Sequence, residues 1–207
     1  FLAQVGGSSF SYPIEIFETY PKGQSATART NEIVSFGFPF KRGELANVTT
    51  LQVTGVSAAQ FRKTAEWPDG SVKWAMVDFL LPSLGNNSVD ASHAIASGGS
   101  GNIGGADICA GGAGTITANT GAGGVTATVR QNGFNVFENI LVNDTGTVVV
   151  SPGNQGGVTF IDDSLIEHSS RSGNATRFEI RENGPVRCQV VVEGMIGSSN
   201  IGYRAIY

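Results

Sequence analysis

The stretch Glu66-Trp67-Pro68-Asp69-Gly70-Ser71-Val72-Lys73-Trp74, continuing through Ala75-Met76-Val77-Asp78-Phe79-Leu80-Leu81, decides the fold. Pro-Asp-Gly between two apolar runs is a turn with a mechanism: proline presets φ, aspartate tolerates the bridge or left-handed region, and glycine takes positive φ without a clash. The spacing therefore predicts a β-hairpin with arms at 58–67 and 71–81. Val72, Trp74 and Met76 alternate with Ala75, Val77, Phe79 and Leu81. With both faces apolar, the second arm is expected to be a central strand covered on both sides. Trp67 and Trp74 are expected to pack across the hairpin and set its register.

Working outward, residues 12–18, 32–40 and 51–53 read as strands on the N-terminal side. On the C-terminal side, β patterning occupies 115–119, 125–130, 134–142, 147–150, 158–161, 177–181, 186–193 and 202–207. Turn residues such as Asn132-Gly133 and Asn183-Gly184-Pro185 separate these runs. No apolar 3.6 period persists for three turns, so the chain is all-β, a barrel or sandwich of short, mostly antiparallel strands. Residues 1–207 are expected to form a single all-β domain, with a subdivision into 1–82 and 115–207. Between them, 83–114 dissolves into Gly, Ser, Asn and Ala and is expected to be a long Gly-rich loop or linker. Its Gly99-Ser100-Gly101-Asn102-Ile103-Gly104 has the form of a dinucleotide fingerprint but lacks the strand before it, the helix after it and the acidic residue beyond.

Composition narrows the function. The formal net charge is −4 and the pI about 5.1, and no Lys/Arg cluster forms a phosphate-tracking stripe, so nucleic acid is not an expected partner. No apolar run is long enough for a membrane-spanning helix. Charged residues are only 14%, with 29 glycines, which suits a secreted β-protein rich in turns. The chain opens on Phe1 rather than Met, as expected of a processed or partial chain. It closes on strand-like residues 202–207, whose edge offers self-association.

Two cysteines, Cys109 and Cys188, lack metal-ligand spacing. In a secreted chain the pair favours a disulfide; the alternative is two unpaired thiols. Asn47, Asn86, Asn143 and Asn174 each begin an N-x-[ST] sequon in a predicted turn or loop, and are glycosylation candidates. His168, following Asp162-Asp163 and Glu167, invites a metal or acid–base reading, against which stands a plain solvated loop; His93 has no such company. No metal site and no cofactor are expected. Glu15, Glu18, Glu32, Glu44, Glu66 and Asp78 supply carboxylates for glycoside chemistry, but spacing does not pair them. Trp67, Asp69, Lys73 and Trp74 could form a sugar-stacking platform; the plainer reading has Asp69 capping the turn and Lys73 lying along Trp67.

The hairpin also carries a resemblance. Trp67-Pro68-Asp69-Gly70-Ser71-Val72-Lys73-Trp74 and the upstream run from Arg29-Thr30-Asn31 through Phe36-Gly37-Phe38-Pro39-Phe40 to Gly43-Glu44-Leu45 resemble the N-terminal RIFT-type β-barrel domain of the exo-rhamnogalacturonan lyase-like proteins. Ile33 stands where that family usually has proline. Thr120-Gly121, residues 132–137 and residues 182–187 fit the later part of the same domain. The resemblance implies a barrel that precedes a β-sandwich and an α/α toroid in proteins cleaving rhamnogalacturonan by β-elimination. That chemistry needs a base for the C5 proton and a cation beside the uronate. No catalytic residue maps onto a motif here, and the strand-and-turn pattern leaves no room for the toroid. The expectation is a non-catalytic module of a secreted carbohydrate-active protein, acting through polysaccharide or domain contact. The alternatives are a self-assembling subunit of an extracellular fibre, sheath or phage-tail-like structure, and a lyase or hydrolase active by itself.

Overall fold

The computed structural model describes residues 9–17, 29–84, 89–151 and 156–207. The chain divides into two compact units, Phe1–Ala106 and Asp107–Tyr207. Among the described residues there are sixteen strands, two short 3₁₀ turns and no α-helix, and no helix is long and apolar enough to cross a membrane.

In the first unit, β1 (Ser11–Phe17), β6 (Val89–Ser97) and β3 (Leu51–Val53) form one antiparallel sheet, in that order. The other holds β2 (Arg29–Pro39), β5 (Val72–Leu84) and β4 (Ala59–Glu66). Strand β5 is central, as its pattern predicts. Its inward residues Ala75, Val77, Phe79 and Leu81 are fully buried. They meet Leu51, Val53 and Ile95 of the first sheet, with Phe36 and Phe38 of β2 packed alongside. This alternation removes one face of each sheet from water, the dominant favourable contribution to the unit.

The outer face of β5 departs from expectation. Asp78 is buried there, but Trp74 is 40% exposed, so β5 is not covered throughout on both sides. Nor does either sheet close on itself among the described residues. Strand β3 ends after three residues, and the chain turns at Thr54-Gly55 before β4 begins. Strand β1 pairs with β6 and β2 with β5. Ile14, Ile16 and Phe17 of β1 and Val34 and Phe36 of β2 line a cleft of about 320 Å³ along this seam.

The expected loop over 83–114 is corrected. It contains the end of β5, all of β6 and β7 (Cys109–Gly111). Even its most glycine-rich part, residues 98–106, is laid against strands. Ile103 and Ala59 exchange backbone hydrogen bonds of 2.9 Å, and the Asn102 side chain accepts from the Phe61 amide at 2.9 Å. A Cβ on Gly99 would lie 2.4 Å from the Leu51 carbonyl oxygen, and one on Gly104 2.4 Å from the Ala58 Cβ. Composition reads as a linker because close backbone approach demands glycine just as flexibility does.

The second unit opens with an antiparallel meander. Strand β7 is followed by β8 (Thr115–Asn119), β9 (Val125–Arg130), β10 (Asn139–Val142) and β11 (Thr147–Val150). A short hairpin follows, β12 (Thr159–Ile161) with β13 (Glu167–Ser169). Strands β14 (Ala175–Glu182), β15 (Gln189–Met195) and β16 (Gly202–Ile206) complete a three-stranded sheet. Ile116, Val129, Val190, Val192 and Tyr203 form the core around Phe134, whose ring stacks on Tyr203 with centroids 4.9 Å apart. The predicted strand over 134–142 is real only from Asn139; before it, Phe134 is fully buried and Val136 takes φ 71°, which breaks the ladder.

Cys109 and Cys188 form a disulfide, Cα atoms 5.8 Å apart, across 79 residues of sequence. Closing a loop of that length stabilises a fold by roughly 3–5 kcal/mol on the chain-entropy account.

Candidate functional site: the Trp67–Trp74 hairpin

The turn forms as its residues dictate. The Trp67 amide donates to the Ser71 carbonyl at 2.8 Å, the Gly70 amide to the Trp67 carbonyl at 2.9 Å, and Gly70 takes φ +82°. Asp69 Oδ1 accepts from the Ser71 amide at 3.0 Å and the Ser71 hydroxyl at 2.6 Å, while Oδ2 accepts from Arg42 Nε at 2.9 Å. The Ser71 hydroxyl, and after it the Arg42 guanidinium, hold the Asp69 carboxyl down at about 2. Gly43 donates its amide to Ser71 Oγ at 2.9 Å, which clamps the turn to the segment after β2.

Three of the four sugar-platform candidates are therefore engaged internally. Asp69 caps the turn. The Trp67 indole donates to the Phe40 carbonyl at 3.1 Å, and Lys73 Nζ lies 4.7 Å from the centroid of the Trp67 ring, a cation–π contact. The two tryptophans have different surroundings: the Trp67 indole turns towards Phe40, whereas the Trp74 indole lies beside Gly37. Trp74 presents open aromatic surface on a sheet face.

Three of the candidate carboxylates, Glu44, Glu66 and Asp78, are each engaged by a partner that is not a carboxylate. Glu44 bonds the Tyr12 hydroxyl and accepts from the Lys41 amide at 2.9 Å, Glu66 pairs with Lys63 at 2.7 Å, and Asp78 accepts from the Ser35 hydroxyl. Each has its own partner, Glu44 in the turn after β2, Glu66 at the end of β4 and Asp78 within β5; Glu18 lies outside the described residues. His93 is buried, with Nδ1 2.7 Å from the Thr54 carbonyl oxygen. Among the described residues no group of three His, Cys, Asp or Glu side chains could hold a metal ion.

The sequons fare differently. Asn47 is exposed and caps a 3₁₀ turn, its side chain accepting from the Thr49 amide at 3.1 Å; Asn174 is exposed. Asn143 is tied into the fold, accepting from Thr126 Oγ1 at 2.7 Å and donating to Asn119 Oδ1 at 3.0 Å. Asn86 lies outside the described residues.

The region around His168 is not a plain solvated loop. His168 Nε2 lies 2.9 Å from Asp162 Oδ2, and its ring stacks on Phe160 at 4.7 Å. The sequence signal was an aspartate whose carboxylate can reach amides two and four residues ahead, a pattern that alternation alone does not register.

The geometry of the hairpin agrees with one comparison. Residues 23–79 match the family of PcRGLX-like N-terminal RIFT barrel domains. The match spans β2 to β5 and covers a little over a quarter of the chain. It contains the turn, the Asp69 clamp and Trp74, and it leaves the whole second unit outside. No curated protein matches the chain.

Proposed function

We propose that the chain is a non-catalytic β-module of a carbohydrate-active protein, working by contact with polysaccharide or with neighbouring domains. The RIFT barrel match over residues 23–79 points to that class of protein. Within it, one observation carries the binding role: the open indole of Trp74 on the outer face of β5, the only one of the four platform residues not satisfied by the protein itself. Aromatic faces suit the apolar faces of sugar rings, and a flat sheet holds such a face rigid. The separate partners of Glu44, Glu66 and Asp78 favour contact over bond cleavage. The reading places the protein outside the cell, where a Cys109–Cys188 bridge persists.

Rhamnogalacturonan oligosaccharides titrated into the protein should quench tryptophan fluorescence saturably, and calorimetric titration should show the binding heat lost in Trp74→Ala while a cooperative unfolding transition is retained. Ultraviolet absorbance from unsaturated uronate should stay flat. Turnover at an ordinary enzymatic rate, or an unchanged titration in Trp74→Ala, would end this reading.

A second reading, a self-assembling extracellular subunit, is favoured by the edge of β16. Val190 and Tyr207 exchange both backbone hydrogen bonds, so the alternation of an antiparallel ladder turns the amides of Arg204 and Ile206 outward. Such an edge can accept another strand. Ile206→Pro removes one outward donor and spares the inner ladder, so it should abolish association that runs through this edge.

A further inference from the structure

The β12–β13 hairpin carries an apolar tip. Ile161, Leu165 and Ile166 are 65%, 86% and 55% exposed. Leu165 has φ 62°, in the left-handed region where a bulky side chain is disfavoured and Gly or Asn is the ordinary occupant. The turn is nevertheless firmly held. Asp162 Oδ1 accepts from the Ser164 and Ile166 amides, both at 2.9 Å, and the Asp162 carbonyl accepts from the Leu165 amide at 3.0 Å. His168 fixes the other carboxylate oxygen. A turn alone would not choose leucine here. Backbone strain of this kind persists where the surroundings over-determine it, and it clusters at sites of function.

A second feature of the same unit matches the tip. Ile116, Ala118, Ala127, Val129, Val190 and Tyr207 line an apolar cleft of about 260 Å³. An apolar cavity of about 150 Å³ accommodates benzene, so this one has room for a branched aliphatic side chain and part of its neighbour. Charges of opposite sign flank the two, although Arg187 also pairs with Glu182 of its own copy. Asp163 and Glu167 stand exposed beside the tip, while Arg187 borders the cleft, its side chain 39% exposed and 4.0 Å from Glu182.

We propose that Leu165 and Ile166 of one copy of this chain insert into the cleft of a second copy, with Asp163 and Glu167 facing Arg187. Tip and cleft are different surfaces, so the contact is heterologous: each copy offers one of each, and association continues into a ring or an open filament. The contact is independent of saccharide binding at Trp74.

The test uses the full chain in sedimentation velocity from micromolar to near-millimolar concentration. The wild type should associate progressively. Leu165→Asn removes the knob and relieves the left-handed strain; it should stay monomeric with an unchanged or raised melting temperature. Ala127→Leu narrows the cleft; it should also stay monomeric, and retention of its melting temperature and disulfide checks that it folds. Mixed together, the two variants should form a one-to-one dimer and nothing larger, because only one tip and one open cleft remain. If Ala127→Leu does not fold, Arg187→Glu replaces it, with at least tenfold weaker association expected and recovery when paired with Asp163→Lys. A wild type that remains monomeric throughout, Leu165→Asn that associates like the wild type, or a failure to form the mixed dimer overturns the proposal. Association lost in Ile206→Pro but kept in Leu165→Asn assigns self-assembly to the β16 edge instead.

Discussion

Two hairpin tips of this molecule are built around an aspartate and finish in opposite ways. At residues 67–71, Asp69 accepts from an amide two residues ahead, Arg42 holds its second oxygen, and glycine takes the positive-φ position. At residues 162–166, Asp162 accepts from amides two and four residues ahead, His168 holds its second oxygen, and leucine takes the positive-φ position. The first tip obeys local backbone preference throughout. The second sets that preference aside and exposes an apolar side chain. A turn that satisfies every local rule is explained by folding; one that breaks a rule while remaining well bonded asks for a reason outside the turn.

The largest effect separates the units that hold the two tips. Cys109 and Cys188 both belong to the second unit, so Cys109→Ser with Cys188→Ser should cost about 3–5 kcal/mol of stability there. Hydrogen exchange should accelerate through β14–β15 and leave the β5 amides of residues 72–80 among the slowest of the chain. Equal acceleration at both places would show that the units do not unfold separately.

Next come the positive-φ residues themselves. Gly70→Val forces a β-branched residue to φ +82° and should destabilise by about 1–3 kcal/mol in chemical denaturation. Leu165→Gly should shift stability far less, or upwards, because relief of strain opposes the added chain freedom of glycine. Similar losses at both positions would erase the contrast between the tips.

The acid limb of the stability curve should distinguish the two aspartates more gently. Asp69 has a carboxyl near 2 in the folded protein, below its unfolded value of about 3.9. Its contribution is therefore fully present above about pH 4 and lost as pH falls towards 2. Asp69→Asn should flatten that part of the curve, and Arg42→Ala should move the loss to higher pH. Asp162 is also lowered, first by its hydrogen bond to His168, so His168→Gln should move its acid transition upward in the same sense. Nuclear magnetic resonance titration of the two carboxyl carbons reads both shifts directly.

How much of this was legible in the sequence depended on whether local rules and tertiary demands agreed. The 65–81 hairpin was readable because Pro68, Asp69 and Gly70 specify a turn and Ala75, Val77, Phe79 and Leu81 share one face. The turn cap at Asp69 and the position of Lys73 beside Trp67 follow from the same short-range chemistry. Barrel closure was not readable, since whether β1 meets β2 depends on long-range pairing rather than on the alternation within either strand. Strand β6 was hidden because Ala91, Ala94 and Ala96 carry little hydrophobic signal, although Ile95 is fully buried. Of the candidate site, Trp74 was named by type, but that its indole stays partly open while the Trp67 indole bonds the Phe40 carbonyl came only with the structure. The Leu165 tip escaped notice because isolated exposed leucines are common, and only its backbone angle sets this one apart.

The contacts of Gly99 and Gly104 bear on how this chain can vary. Low-complexity stretches are the usual choice for inserting affinity tags, permuting termini or absorbing random substitutions. Here the segment 98–106 is hydrogen-bonded to Thr50 and Leu51 and, at Ala59 and Phe61, to β4, with no space for a Cβ at Gly99 or Gly104. A saturation library across the first unit should therefore show its narrowest tolerance at these two positions, inside the stretch whose composition looks the most permissive. An exposed position on the outer face of β2, such as Ile33, should accept a far wider range of side chains.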